Sequence, residues 1–235
     1  MNKKKILSFD LDNTLLDDSV LKIPESALKA IDDIRDRYHI VLATGRDLTA
    51  DSSKPFLESI RPDAYVHNNG TIVHLDGECI FKHLMDKALL NRILDFALEH
   101  KLCICALVNN IQYTTSLSGL ASLRKVLSGG AKVPESDHID DLRTSDIQTM
   151  GLAANAKEAA LLAEHFPELK VTPVFPGVWY DLMEKNISKV VGMELLLSKM
   201  GSTMQDVIAF GDSMNDYEMI TAAGFGIAME MPQKN

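Results

Sequence analysis

The sequence is short of the features that mark several protein classes. It has three cysteines in 235 residues, Cys79, Cys103 and Cys105. An odd count without framework spacing excludes a disulfide scaffold. Cys103 and Cys105 alternate with apolar residues in LCICALV and read as small core side chains of a strand. No apolar run approaches the roughly 20 residues that a membrane helix needs. The opening MNKKKILSFDLD has only a short apolar stretch, broken by acidic residues, so no signal peptide is expected and the cytoplasm is the expected compartment. Basic charge is also in deficit: 24 Lys and Arg against 33 Asp and Glu give a net charge of −9. Such a chain repels polyanions at long range, so neither nucleic acid nor an anionic membrane is an expected partner. The Lys3-Lys4-Lys5 run reads as a solvated end. Repeats and low-complexity tracts are absent too. An anionic substrate must therefore be drawn by a local site.

What remains is an ordinary mixture, 46% hydrophobic and 24% charged, able to bury a core in one large domain or two small ones. Residues 6–10, ILSFD, read as a buried strand running straight into acidic residues. A helix follows, with Pro24 suited to its first turn and Leu28, Ile31 and Ile34 at helical spacing. Residues 39–44, HIVLAT, form a second apolar strand ended by Gly45; a short helix near 53–60 and a strand at 64–67 come next. Short apolar strands alternating with helices predict a parallel sheet with helices on its faces. Ligands of such sheets bind beyond the carboxyl ends of the strands, where Asp10 and Thr44 fall. Residues 71–74 and 78–81 predict a hairpin around Asp76-Gly77.

The style then changes. Residues 87–100 predict an amphipathic helix with Leu90, Ile93, Leu94, Ala97 and Leu98 on one side. Strands at 102–108 and 111–115 join through Asn109-Asn110, and a helix near 118–128 ends at Gly129-Gly130. Strand 147–153, helix 156–166 and strands 169–175 and 178–183 complete a mixed unit. The first style returns with helix 187–200, strand 207–210, an acidic loop 211–216, helix 216–223 and a strand near 225–228. The expected organisation is a Rossmann-like α/β core of residues 1–82 and 185–235, interrupted by an α/β domain at 83–184.

Four short segments carry chemistry. In Asp10-Leu11-Asp12-Asn13-Thr14, side chains two apart on extended backbone point the same way, so Asp10 and Asp12 can face one point. Close carboxylates repel unless a cation or shared proton relieves them, and magnesium is the usual cation beside phosphate. One carboxylate can then attack phosphorus while the other handles protons. Thr44-Gly45-Arg46 closes a strand with a hydroxyl and turn N–H groups suited to a phosphate oxygen. Gly211-Asp212-Ser213-Met214-Asn215-Asp216 puts two more carboxylates at a strand end, although Asp212 or Ser213 could equally cap the helix that follows. Lys189 opens a helix, where the macrodipole disfavours a cation unless an anion compensates; it could also be a plain exposed lysine.

Taken together and in this order, the segments resemble the haloacid dehalogenase superfamily, and within it the Cof-type phosphatases. The resemblance covers residues 6–82 and 185–229. It implies that Asp10 is the nucleophile forming a phospho-aspartate and Asp12 the general acid/base. It implies that Thr44, Gly45 and the Leu11 backbone hold the phosphate, that Lys189 orients Asp10 and neutralises the phosphate, and that Asn215 contacts it. Magnesium is implied on Asp10, Asp212 and the Asp12 carbonyl, with Asp216 just outside these ligands. Asn69, in Asn68-Asn69-Gly70, resembles a substrate contact. The gap between Asp12 and Thr44 has room for one helix, so the insertion falls at the position the family calls C2, used by sugar-phosphate phosphatases to close over the site and select the substrate. The family's Asp-Gly-Thr is Asp12-Asn13-Thr14 here, a change Asn tolerates. The family's chains also continue through a further strand and closing helix where this sequence reaches Asn235, which implies less cover on one sheet face.

The expected activity is hydrolysis of a small phosphorylated metabolite, a sugar phosphate first among them. A phosphotransferase or mutase shares the same covalent intermediate, and a non-catalytic relative that binds a phospho-ligand is the reading of another class. Cap residues such as Asn109, Asn110, Tyr113 and Trp179 could meet a polar sugar but read equally well as turn and core residues. Oligomeric state is not legible.

Overall fold

The computed structural model describes residues 4–17, 22–126 and 133–229. Lys3 of the basic run, the Gly129-Gly130 helix stop and the final residues 230–235 lie outside the described residues. In chain order the elements are β1 (Lys5–Phe9), α1 (Glu25–Ile34), β2 (Tyr38–Ala43), α2 (Lys54–Ile60), β3 (Ala64–His67), β4 (Ile72–Leu75) and β5 (Glu78–Lys82). Then come α3 (Lys87–Glu99), β6 (Cys103–Val108), β7 (Ile111–Thr114), α4 (Leu117–Val126), β8 (Glu135–Ser136), α5 (Ile139–Thr144), β9 (Met150–Ala153), α6 (Ala156–His165), β10 (Leu169–Phe175) and β11 (Trp179–Glu184). The chain closes with α7 (Lys189–Lys199), β12 (Val207–Gly211), α8 (Tyr217–Ala222) and β13 (Phe225–Ala228). Two compact units result: one formed by the chain up to Lys82 and again from Asn186, the other by His83–Lys185.

The first unit is built on a seven-stranded sheet in the order β13-β12-β1-β2-β3-β4-β5. The five strands from β13 to β3 pair in parallel, and β4 and β5 turn back antiparallel. Alternate strand residues go to opposite faces. Ile6, Val41, Ala43, Val66 and Ala209 pack with Met193, Leu196 and Leu197 of α7 and Met219 of α8. Leu7, Phe9, Ile40 and Leu42 pack with Ile31 of α1 and Ile60 of α2. Burial on both faces is why these strands read as unbroken apolar runs. β1, an inner strand between β12 and β2, delivers Asp10 at its carboxyl end.

The second unit has a six-stranded sheet, β10-β11-β9-β6-β7-β8. Leu90, Ile93, Leu94 and Ala97 of α3 pack with Leu162 of α6 and with Ile104, Leu152 and Leu182 of the sheet. Leu98, expected on the same apolar side, is 46% exposed. Each i, i+4 step advances by about 40° around a helix, so the row Leu90, Leu94, Leu98 walks off the buried stripe. Asn109 and Asn110 both have positive φ (50° and 61°), as the tight turn between β6 and β7 requires. The strand expected from 147 begins at Met150, and β8 and α5 form where the sequence pattern predicts no element. Among the described residues, no helix is long and apolar enough to cross a membrane.

Candidate active site

Parallel pairing brings several chain segments to one edge of the first unit's sheet. The ladder runs one step past the strands: Asp10 N–H donates to Phe210 O (2.9 Å) and Thr44 N–H to Val66 O (2.9 Å). The ends of β1, β2, β3 and β12 are thereby held side by side. They carry Asp10, Thr44, Asn68-Asn69 and Asp212.

Lys189 is the centre of this edge. It is the first residue of α7, yet it is 1% exposed, which excludes the plain surface lysine. Its Nζ donates to Asp10 Oδ1 and to Asp216 Oδ1, both at 2.7 Å. Burial disfavours the ammonium, but the two carboxylates outweigh it and hold the lysine up at about 12. Burial pushes Asp10 up to about 7; Lys189 draws it down and Asp216 adds to the rise. α7 can begin there because the loop before β4 makes way. A Cβ on Gly70, where φ is +98°, would overlap the Ser188 carbonyl.

Asp216 anchors the other side. Its Oδ2 accepts the N–H groups of Asp212 and Ser213, both at 3.2 Å. Neither Asp212 nor Ser213 caps α8 with its side chain, contrary to one sequence reading. The short α8 begins only at Tyr217, and the loop's N–H groups turn inward to Asp216 instead. Gly211 has no left-handed φ; it is needed because a Cβ would press into the Asp216 carboxylate. Asp10, Asp212 and Asp216 each offer an oxygen within 4.8 Å of the others. Burial, then Asp216, raises the Asp212 carboxyl as well. Three carboxylates against one ammonium leave an excess of negative charge with hard oxygen donors, a set that fits a divalent cation. Both Asp216 oxygens are already engaged, so Asp10 and Asp212 are the pair best placed to take it.

Asp12 lies three positions past Phe9, the last residue of β1, and near enough to Asp10 for its charge to add to the rise of that carboxyl. Arg46 Nε donates to both Asp12 oxygens, at 2.8 and 2.9 Å, and its guanidinium lies 5.6 Å from the Phe56 ring centroid. Asn13 has φ 54°, the left-handed turn that Asn accommodates. Thr14 Oγ1 donates to Asp212 Oδ1 at 3.4 Å, and the Leu11 carbonyl accepts from Leu15 and Leu16 to close the turn. Thr44 is buried, and its Oγ1 accepts the Arg46 N–H at 3.1 Å. Asn215 Nδ2 donates to Asn69 Oδ1 at 2.9 Å, beside Gly45. The residues singled out in the first unit therefore gather at one edge of its sheet, and Arg46 joins them; Asn109, Asn110, Tyr113 and Trp179 belong to the second unit. Only the place of Arg46 after Thr44-Gly45 hinted at it, since its partner is 34 positions away.

A family model described as haloacid dehalogenase-like hydrolase matches residues 7–234, and the chain belongs to this family. Two relatives share 26% identity with it. One is the 5-amino-6-(5-phospho-D-ribitylamino)uracil phosphatase YcsE of Bacillus subtilis, with 96% of this chain and 83% of the relative covered. The other is a phosphoglycolate phosphatase of Methanothermobacter thermautotrophicus, with 96% and 85% covered. The fold is similar to that of a haloacid dehalogenase superfamily phosphatase from Bacteroides thetaiotaomicron (TM-score 0.86, 21% identity, 96% of this chain and 84% of the other).

Proposed function

We propose that the protein hydrolyses phosphate monoesters of small metabolites through a phospho-aspartate on Asp10. The observation that carries this reading is Lys189, buried and held 2.7 Å from both Asp10 and Asp216 beside the further carboxylate of Asp212. A fixed buried ammonium next to an ionised carboxylate orients a nucleophile and meets the charge of an incoming phosphate.

In the first half-reaction an Asp10 oxygen bonds to phosphorus as the bond to the ester oxygen breaks. Protonated Asp12 supplies the proton that the leaving alcohol takes. In the second, water bonds to phosphorus, Asp12 takes its proton, and the Asp10–phosphorus bond breaks. The sum is monoester and water in, alcohol and phosphate out. Arg46 holds the Asp12 carboxylate in one orientation through both halves. The Leu11 and Gly45 backbone, the Thr44 hydroxyl, Asn215 and Asn69 are the proposed phosphate contacts. Magnesium is the proposed cation, on Asp10, Asp212 and the Asp12 carbonyl, with Asp216 outside them. Bound there, it supplies charge neutralisation that brings phosphate and carboxylate together.

Both named substrates of the relatives are small phosphate monoesters, one on a sugar-alcohol chain and one on a two-carbon acid. We take the inserted unit, His83–Lys185, as the part that selects among such metabolites, with sugar phosphates the first class to try. The test is a panel of sugar phosphates, nucleotides and phosphorylated cofactors, with wild type and Asp10→Asn, in magnesium or EDTA. Release of inorganic phosphate that needs magnesium and Asp10 supports hydrolysis. Transfer to an added alcohol without phosphate release would make the protein a phosphotransferase, and no turnover at all would leave only a binding role.

A further inference from the structure

Strand β3 ends in a histidine that the proposed chemistry does not use. His67 is fully enclosed. Its Nδ1 accepts the backbone N–H of Leu48 at 3.2 Å. With Nδ1 an acceptor, the ring proton of the neutral form is on Nε2. Among the described residues, that buried nitrogen has no hydrogen-bond partner. An apolar side chain would fill the space without a stranded donor. The ring is therefore explained by what Nδ1 holds.

What it holds is a turn between β2 and the helical segment that starts at Asp51. Residues 44–50 have no regular secondary structure, and their shape comes from specific hydrogen bonds. Asn68 N–H donates to Arg46 O (3.0 Å) and Asn69 N–H to Thr44 O (3.1 Å). Asp47 Oδ1 accepts Thr49 N–H (2.8 Å). The Leu48 side chain is buried, 1% exposed, so its backbone cannot turn to water for a substitute partner. Two residues earlier on this turn is Arg46, whose guanidinium holds Asp12.

We propose that His67 is a positioning residue for the acid/base carboxylate: by accepting the Leu48 N–H at Nδ1, it sets the turn from which Arg46 reaches Asp12. The role rests on the phosphatase reading given above. Among the described residues, three titratable groups face the ring. Asp47 Oδ1 is 3.6 Å from Nδ1, and the rings of His74 and Tyr65 have centroids 5.3 and 5.6 Å away. Burial holds the imidazole down at about 4 against the pull of Asp47, so it stays a neutral acceptor through the neutral pH range.

Two polar variants separate this role from simple packing. In His67→Asn the amide oxygen stands as far along the side chain as Nδ1 and can still accept. In His67→Gln the acceptor moves one bond outward. Turnover of p-nitrophenyl phosphate with magnesium is measured for each, alone and combined with Arg46→Ala, with thermal melts alongside. His67→Asn is expected to keep kcat within about threefold of wild type and His67→Gln to lose ~10-fold or more, with KM changing less, as small misplacements of reacting groups do. In the Arg46→Ala background the two should become equal, because residues acting through one another are not additive. If His67→Gln fails to fold, His67→Ala, which has no acceptor, takes its place. Equal kcat for the Asn and Gln variants, or an Asn–Gln difference that persists undiminished without Arg46, overturns the role. A wild type inert on the substrate instead overturns the phosphatase reading, and the role with it.

Discussion

The Nζ of Lys189 stands 2.7 Å from Oδ1 of Asp10, with 179 positions of chain between them and almost no solvent at either side chain. The chain brings them together because β1 and α7 pack on the same sheet and Gly70 lets α7 begin at the strand ends. Removing one partner of such a pair strands a buried charge. Lys189→Met should lower stability by about 3–5 kcal/mol, the usual cost of breaking a buried ion pair from one side. Urea unfolding of the magnesium-free protein measures it. A loss within the scatter of surface substitutions would mean that Asp10 and Asp216 do not depend on the lysine.

Arg46→Lys tests the hold on Asp12. A lysine keeps the charge but not the two-pronged geometry. The expected result is a kcat reduced ~10-fold or more with KM changed less, since orientation rather than charge is lost. Wild-type kinetics in this variant would remove Arg46 from the orientation of Asp12.

Asp12→Asn removes the proton carrier while leaving a group of the same shape. Inorganic phosphate and magnesium should still bind, seen by calorimetry, while turnover drops by about 10²–10⁴, the range of general acid–base catalysis. Near-normal turnover would take Asp12 out of that role.

Much of this site was legible because each buried strand is an apolar run that stops at its functional residue. ILSFD and VIAFGD show the end of the strand and the acid in one glance. The partnerships were not. Arg46 meets Asp12 and His67 meets Leu48 through loops whose shapes depend on long-range hydrogen bonds, which no local period records. Asp12 is near enough to raise the Asp10 carboxyl, but past the end of β1 it is Arg46, 34 positions away, that holds its carboxylate, and no strand period records that. α5 escaped because six residues are too few to show a helical period, and Leu98 was misplaced because a long apolar row drifts around its helix.

His67 also gives stability a pH dependence of known sign. Its folded value, about 4, is below the ordinary 6.5. Between these values the unfolded chain binds more protons than the native protein, so stability rises as pH rises from about 4 to about 6.5 and is lost on the way down. His74, lowered by burial, adds in the same direction. Asp10, raised to about 7, and Asp212 act in the opposite direction in both proteins, so urea midpoints across that window should rise less, or fall more, with pH in His67→Asn than in wild type. An unchanged slope would assign the dependence to other groups.

The proposed covalent bond between Asp10 and phosphorus can be trapped chemically. Wild type with magnesium is mixed with its best substrate from the panel, quenched in acid within the first turnovers, and reduced with borohydride, which converts an aspartyl phosphate to homoserine. Peptide mass spectrometry then reads the position. Homoserine at residue 10, absent from Asp10→Asn, is the predicted result. Homoserine at another aspartate, or none anywhere while phosphate is released, would contradict the account.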